Sequence, residues 1–563
     1  MDYKKLISEG ISLHTSIVST ALEPLIEIPP RSEMGDFSFP CFHISKLLKK
    51  NPCSIANELK TKLKLQAFNK IDAVGPYLNF YIDTVLFIKN TIEKVLSERD
   101  SYGSSMLGNG RTVVVDFSFP SLAEPFKVNH LLAALIGNSL TKICSFAGYN
   151  CVTKSSFDDI SNAFGKLMVA YKRGWIDEKV LFTKLSCELQ RAYIKFHDEV
   201  EMHPNLMEKA KEHYIRLEEG QEPELSLFNK LKTLSLLEYS KIYEMLNLKI
   251  DSLDKRDLDS NNLKEVIKKL ADKNLLNEIA YAKVVLLKEY NLPPCVIKRS
   301  DGAIASTLRD LAEISFREKL YDFHRNIYVS DNSKALYYNQ LFTTLRLLNS
   351  PSCDSCVHVG FGSVKFLDKE LSVKKEDPDF IEYILKQAVE DIFDKIKEYE
   401  FPNKAETAKK MGIGAVIFAH LYNNREKDIA ISWKELLSFE GDTGPFVQCT
   451  YFRGRTISKN AYYISCSEDY KRLITAEELD LVKLLNYFPE MIVESLNNLD
   501  PSVVAGYVLK LARKLDYFLN LYNVVELKDE QLKIARFKLV EAACQVLENG
   551  LHLLGIEIFE KIK

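Results

Sequence analysis

The stretch "SFPSLAEPFKVNH", which follows the β-branched run Val113–Val115 and leads into an apolar-periodic helix, carries Glu124, Lys127, Asn129 and His130. A cation and an imidazole three residues apart at a helix start suit phosphate, because the first turn leaves backbone N–H groups without helical partners and its dipole favours anions. Neither G-x-G-x-x-G nor G-x-x-x-x-G-K-[ST] occurs in the chain, so the Gly-rich cradles of ordinary dinucleotide and P-loop sites are excluded. His130 has two open uses, as a phosphate donor or as a cap within the helix turn. Lys127, Lys374 and Lys375 read either as phosphate cations or as solvated surface charges. A second group, Tyr451, Phe452, Arg453 and Arg455 in "CTYFRGR", mixes rings and guanidinium groups in the way that suits base stacking plus phosphate contact. A third, Cys353 and Cys356 with His358 nearby, has C-x-x-C spacing but no second pair, so it is read as a loop before a strand and no metal is expected.

These groups need elements to position them. From Val113 the pattern is α/β, with strands at "TVVVDFS", "NCVTKS", "AKVVLL", "NIYVS" and "HVGFGSVKF" and a helix from about Pro125. A Rossmann-like parallel sheet is the expected outcome. A charged helical stretch at about 170–275 reads as an inserted layer, and from about 378 onward the periodicity is helical. Residues 1–108 mix amphipathic helices with short strands and end in the Gly-rich "SYGSSMLGNGR".

The bulk properties agree with a multidomain globular chain. At 563 residues it exceeds one core, and roughly 100–200 residues per domain predicts three or four. Lys and Arg number 75 against 78 Asp and Glu, so the net charge of −3 gives no overall pull toward nucleic acid, and any polyanion site must be a local patch. The first residues, "MDYKKLISEG", hold no apolar core before a cleavage site, and no run nears about 18 apolar residues. The expectation is a cytoplasmic protein with no membrane contact, whose 11 cysteines are free thiols.

Taken in order, the blocks resemble arginyl-tRNA synthetase, a class I aminoacyl-tRNA synthetase, over essentially the whole chain. "EIPPRSEMGDFSFPCFHISKLLKKNP" and "GPYLNFYI" are similar to that family's N-terminal tRNA-binding domain. "VVVDFSFPSLAEPFKVNHLLAALIGNSLTKICSFAGYN" resembles the strand, "SSPNIAKPFHIGHL" loop and helix that hold ATP. "IKRSDGAIASTLRDLA", "HVGFGSVKF", "MGIGAVIFAHLYNNREKDIAISWKELLSFEGDTGPFVQCTYFRGRTISK" and "DPSVVAGYVLKLARKLDYFLNLYNV" keep the family's order, the last two in its helical anticodon-binding domain. The resemblance implies an α/β class I catalytic domain with a parallel sheet at 109–377, an α+β additional tRNA-binding domain at 1–108 and an all-α anticodon-binding domain at 378–563.

The active-site blocks depart from the family. Its H-x-G-H sets two imidazoles against the triphosphate and a glycine under the adenine; Lys127-Val128-Asn129-His130 keeps the second histidine alone, and Asn129 puts a side chain under the adenine. Two family lysines that face the phosphates fall at Glu124 and Glu370. At an effective dielectric of about 20, each such contact is worth about 4 kcal/mol, and reversing its sign changes the interaction by about twice that. Ser372, Lys374 and Lys375 are the remaining polar groups of the second loop. For the arginine pocket the resemblance implies the acids Asp116 and Asp310, with Ser121, Ser306 and Lys334 where the family has asparagine, tyrosine and glutamine, and Asp159 kept from an altered "DDIS". The tRNA-facing block retains Asp442, Thr443, Gln448, Tyr451 and Arg453, with Arg455 beside them. The expected function is therefore a monomeric family member with impaired catalysis that still binds tRNA. The alternatives are an active arginine–tRNA ligase using ATP with Mg2+, L-arginine and tRNA, and a small-molecule enzyme built on the same fold.

Overall fold

The computed structural model describes residues 3–559 except 32–33, 118–125, 156–161, 182–183, 254–259, 369–370, 372–379, 402 and 460–468. Its contacts group the chain into two units, one made of 1–102, 454–487 and 514–546, the other of 103–453, 488–513 and 547–563.

In the first unit, β1 (Phe37–Pro40), β2 (Phe68–Val74) and β3 (Tyr77–Ile82) form an antiparallel sheet in the order β1-β3-β2. Leu78 and Phe80 are buried, and Tyr3 of the helix Tyr3–Thr15 packs its ring against Phe68 and Phe87 at 5.7 and 5.9 Å. The flanking helices start where the sequence supplies caps. Asn51 accepts from the Cys53 N–H ahead of Pro52, and Asp83 accepts from the Leu86 N–H. Tyr102 donates to the Leu485 carbonyl at 2.8 Å and Arg99 meets Glu541 at 2.7 Å, which ties the N-terminal segment to the helical segments of the same unit.

The second unit is built on a five-stranded sheet of β4 (Thr112–Phe117), β5 (Asn150–Ser155), β6 (Ser252–Leu253), β10 (Arg325–Asp331) and β11 (Cys356–Phe361), in the order β11-β10-β4-β5-β6 with every pair parallel. Strand β4 is buried on both faces, as its unbroken apolar run requires. Alternation along it sends Val114 and Asp116 to one face and Val113, Val115 and Phe117 to the other. Val114 joins a core with Leu308, Leu311 and Ile314 of the helix Ser306–Tyr321 and with Leu341 and Leu345 of the helix Ala335–Leu347. Phe117 lies against Gly137 of the helix Val128–Phe146, which packs on β4, β5 and β10. The inserted layer runs through helices Asn162–Lys172, Leu185–Met202, Asn205–Glu218 and Glu224–Met245, returns to the sheet edge as β6, and resumes at Ser260–Asp272.

Two expectations change. "AKVVLL" does form a strand, but β8 (Ala282–Val285) lies between β7 (Leu276–Ile279) and β9 (Cys295–Lys298) in a separate antiparallel sheet. Only Ala280 and Tyr281 separate β7 from β8, and a parallel pairing needs a crossover of a dozen or so residues. "HVGFGSVKF" divides after Phe361, and its second half, β12 (Val364–Phe366), pairs in parallel with β13 (Ile429–Ile431), so the described residues beyond 378 are helical with one short strand. Among the described residues no helix is long and apolar enough to cross a membrane.

Gly137 has no room for a side chain, since a Cβ there would lie 2.2 Å from the Phe117 ring. Gly137→Ala is expected to destabilise the chain by about 1–3 kcal/mol through forced separation of helix and sheet. Urea unfolding checks this, and a variant as stable as the parent would show that the helix shifts without penalty.

Candidate functional site

The corner after β4 is described from Phe126 onward, so Ser121 and Glu124 lie outside the described residues. Phe126 is buried and rests against the rings of Tyr239 and Tyr243 at 5.5 and 5.8 Å, which anchors the chain where the helix begins. Lys127 takes the N-cap position in extended backbone, and its N–H donates to His130 Nδ1 at 3.1 Å. Of the two uses left open for His130, capping is thus present. With Nδ1 accepting, the neutral ring carries its proton on Nε2, so a phosphate contact through Nε2–H is compatible with the cap. Lys127 and Asn129 are exposed.

Asp116, the acid that the resemblance places against substrate guanidinium, is fully buried and holds the chain's own Arg317. Arg317 is 2% exposed; it also meets Glu313 at 2.5 Å one turn back on its helix and donates to Asn326 Oδ1 at 3.3 Å. Asn326 in turn donates to the Tyr328 hydroxyl at 2.8 Å, and the guanidinium lies over the Tyr328 ring at 5.7 Å. Burial alone would lower the guanidinium pKa, but Glu313 and Asp116 hold it well above its ordinary value. The assigned role of Asp116 is therefore refined. It already serves as the counter-ion of an internal arginine.

The second acid, Asp310, accepts a hydrogen bond from the Tyr337 hydroxyl. Burial, and then Asp310, push the Tyr337 phenol well above its ordinary pKa, so it remains a donor. Ser306 opens the helix Ser306–Tyr321 and is exposed. Lys334 is exposed at the turn that leads into the helix Ala335–Leu347, one turn before Tyr337. His358 on β11 stacks on Tyr338 at 4.5 Å with Nε2 3.0 Å from Ser330 Oγ, and burial lowers its pKa. Cys356 opens β11, and its thiol is pushed up to about 12 by burial. Asp159, Ser372 and Lys374, with Glu370 and Lys375, lie outside the described residues. Arg317 and Tyr337 were not among the expected site residues. The signal for Arg317 was present in "EISFR", an acid and an arginine four apart on a helix.

Half of the block that the resemblance turns toward tRNA is internal. Thr443 accepts from the Phe446 N–H and donates to the Ser438 carbonyl at 2.6 Å, capping the helix Gly444–Ser458. Gln448 is buried, donating to the carbonyls of Lys410 and Glu557. Tyr451 is 1% exposed, and its hydroxyl donates to Glu548 at 3.0 Å. A base has no access to such a ring, so the stacking role expected for Tyr451 is replaced by a packing role. Its place in the sequence beside two arginines could not tell the inner face of the helix from the outer. Asp442 is partly exposed and pairs with Arg513 while accepting from Tyr422 at 3.0 Å. Arg453 and Arg455 are half-buried on the helix Gly444–Ser458.

Three family models match the chain: the class I (R) tRNA synthetase catalytic domain over residues 91–433, the DALR anticodon-binding domain over 447–562, and the arginyl-tRNA synthetase N-terminal domain over 1–82. An arginine–tRNA ligase of Clostridium botulinum is 46% identical over 564 residues, covering all of both chains, and one of Clostridium kluyveri is 45% identical over 567. Among solved structures, arginyl-tRNA synthetase of Thermus thermophilus superposes over all of both chains with a TM-score of 0.79 at 22% identity. That of Plasmodium falciparum gives 0.75 at 20% identity over 99% of this chain and 98% of its own.

Two outcomes follow from this geometry. Asp116→Asn removes one of the two carboxylates described on the buried Arg317 and is expected to destabilise by about 3 kcal/mol, read by denaturant unfolding. Tyr451→Phe keeps the packing and loses the bond to Glu548, so it should lower stability by about 1 kcal/mol while tRNA affinity changes by less than about twofold. A large loss of affinity in a gel-shift titration would restore a direct RNA role to Tyr451.

Proposed function

Because the chain belongs to the class I arginyl-tRNA synthetase family, we propose that it carries out that family's reaction on tRNA. ATP, entering with Mg2+, and L-arginine give arginyl-adenylate and diphosphate, and the arginyl group then passes to the 3′ end of the tRNA with release of AMP. The observation that supports this is the 46% identity with arginine–tRNA ligases along the whole length of both chains. On this reading the His130 Nε2–H and the start of the helix Val128–Phe146 receive phosphate, Lys127 adds a mobile cation, and Asp310, steadied by Tyr337, faces the arginine side chain. Ser306 and Lys334 belong to the same site on this reading, and Ser121, Asp159, Ser372 and Lys374 are assigned to it by the resemblance in sequence alone. Asp442, Arg453 and Arg455 serve the tRNA, and the division at 1–108, 109–377 and 378–563 separates the two kinds of work.

A second reading, in which tRNA is still bound but amino-acid activation is slow, is favoured by the residues at the helix start. Lys127 replaces a fixed imidazole with a flexible charge, Asn129 adds a side chain where adenine needs a bare backbone, and Glu124 and Glu370 reverse two phosphate contacts. Each lost donor to the developing charge is typically worth about 10²–10³ in rate. Arginine-dependent exchange of diphosphate into ATP separates the two. Exchange within about tenfold of an ordinary arginine–tRNA ligase supports the first reading. Exchange lower by about 10³ or more, with tRNA binding intact and with recovery in the variant Glu124→Lys, Lys127→His, Asn129→Gly, Glu370→Lys, supports the second.

A further inference from the structure

The antiparallel sheet β7-β8-β9 carries two features that are unfavourable in the chain standing alone. The turn from β7 to β8 consists of Ala280 and Tyr281, with φ of +46° and +66°. Two-residue hairpin turns with positive φ at both positions strongly prefer Asn-Gly or Gly-Gly, because a Cβ crowds the backbone in the left-handed region. A β-carbon at both positions is therefore disfavoured, and the second bears a phenol ring that is 84% exposed. Ile279 beside it is 48% exposed.

The second feature is electrostatic. Lys283 of β8 stands directly opposite Lys298 of β9, both exposed on one face of the sheet. Like charges in directly opposed positions repel. Glu278 of β7 stands opposite Lys283 on its other side, yet none of these three forms an ion pair with a described residue. A planar ring system can stack on the exposed Tyr281 phenol, and an anion between the lysines relieves their repulsion. A nucleic-acid strand supplies both within one nucleotide step, a base to stack and a phosphate to bridge.

We propose that the tip and outer face of this sheet form an RNA contact, with a base of the bound tRNA stacked on Tyr281 and its phosphate backbone passing over Lys283 and Lys298. The proposal rests on the tRNA-binding reading above and adds to it a site on the β7-β8-β9 sheet of the catalytic region. The strained turn is kept because it presents the ring. Asparagine and glycine would relax the backbone but remove the platform.

The full-length chain and an unmodified transcript of a tRNA with an arginine anticodon test this by fluorescence anisotropy over a series of salt concentrations. Tyr281→Ala is expected to weaken binding by about tenfold or more, and Tyr281→Trp to restore it. Lys283→Ala with Lys298→Ala should lower the slope of log affinity against log salt by about one to two. Ala280→Asn with Tyr281→Gly should raise the melting midpoint and yet weaken binding as Tyr281→Ala does, a split that a merely structural turn would not give. Parent-like affinity and salt slope in all of these variants, with the parent itself binding in a salt-dependent way, overturns the contact. A parent that binds the transcript no better than an unrelated polyanion overturns the tRNA reading and this site together.

Discussion

The second unit is organised around a charge buried in its central sheet. Asp116 interrupts an otherwise apolar strand, and a carboxylate at that depth is tolerated only with a counter-ion and hydrogen bonds. Arg317 provides both, and in doing so joins β4 to the helix Ser306–Tyr321, to Glu313 on that helix and, through Asn326, to β10. The bridge fixes the height of that helix above the sheet. Since Asp310 lies on the same helix two turns earlier, the bridge also sets where the second acid meets Tyr337. A buried ion pair of this kind adds little net stability compared with well-packed apolar groups, but breaking it is expensive, which makes it a device for holding one arrangement.

The electrostatics of the pocket follow. Read one residue at a time, the sequence suggests a cation site made of two acids. In the fold Asp116 is paired with Arg317, which Glu313 shares, and Asp310 accepts from a phenol, so Asp310 is the acid of the two that is not already paired with this internal guanidinium. Exposed Lys334 stands one turn from Tyr337, the residue that donates to that acid.

Much of this fold was legible because local signals and packing agree. The β-branched run at 113–115 became β4, and the apolar helix after it became the layer that covers Phe117. Where the sequence reading went astray, the deciding feature lay outside the segment being read. "AKVVLL" reads as a buried strand in isolation, and nothing in its composition distinguishes a parallel neighbour from an antiparallel one; the two-residue connection before it was the informative feature. Tyr451 looked like a stacking ring because of its arginine neighbours, whereas it is buried with its hydroxyl donating to Glu548, about a hundred residues away in sequence. Arg317 escaped attention for the same reason, its partner Asp116 lying far upstream on another element.

Identity along the whole chain and chemistry at the helix start report on different residues. The positions that make the fold are numerous and apolar, such as Val113, Val114, Phe117, Leu308 and Leu341. The positions that would meet a triphosphate are few. Of what they offer, the helix start itself survives any side-chain change, since its N–H groups and dipole belong to the backbone, but that contribution to an anion is typically about 0.3–1 kcal/mol at an exposed site. A lysine facing phosphate is worth about 4 kcal/mol at an effective dielectric of about 20. The backbone part is too small to compensate for two such reversals, so the rate of activation depends on whether Lys127 and the cations beyond Glu370 can take their place.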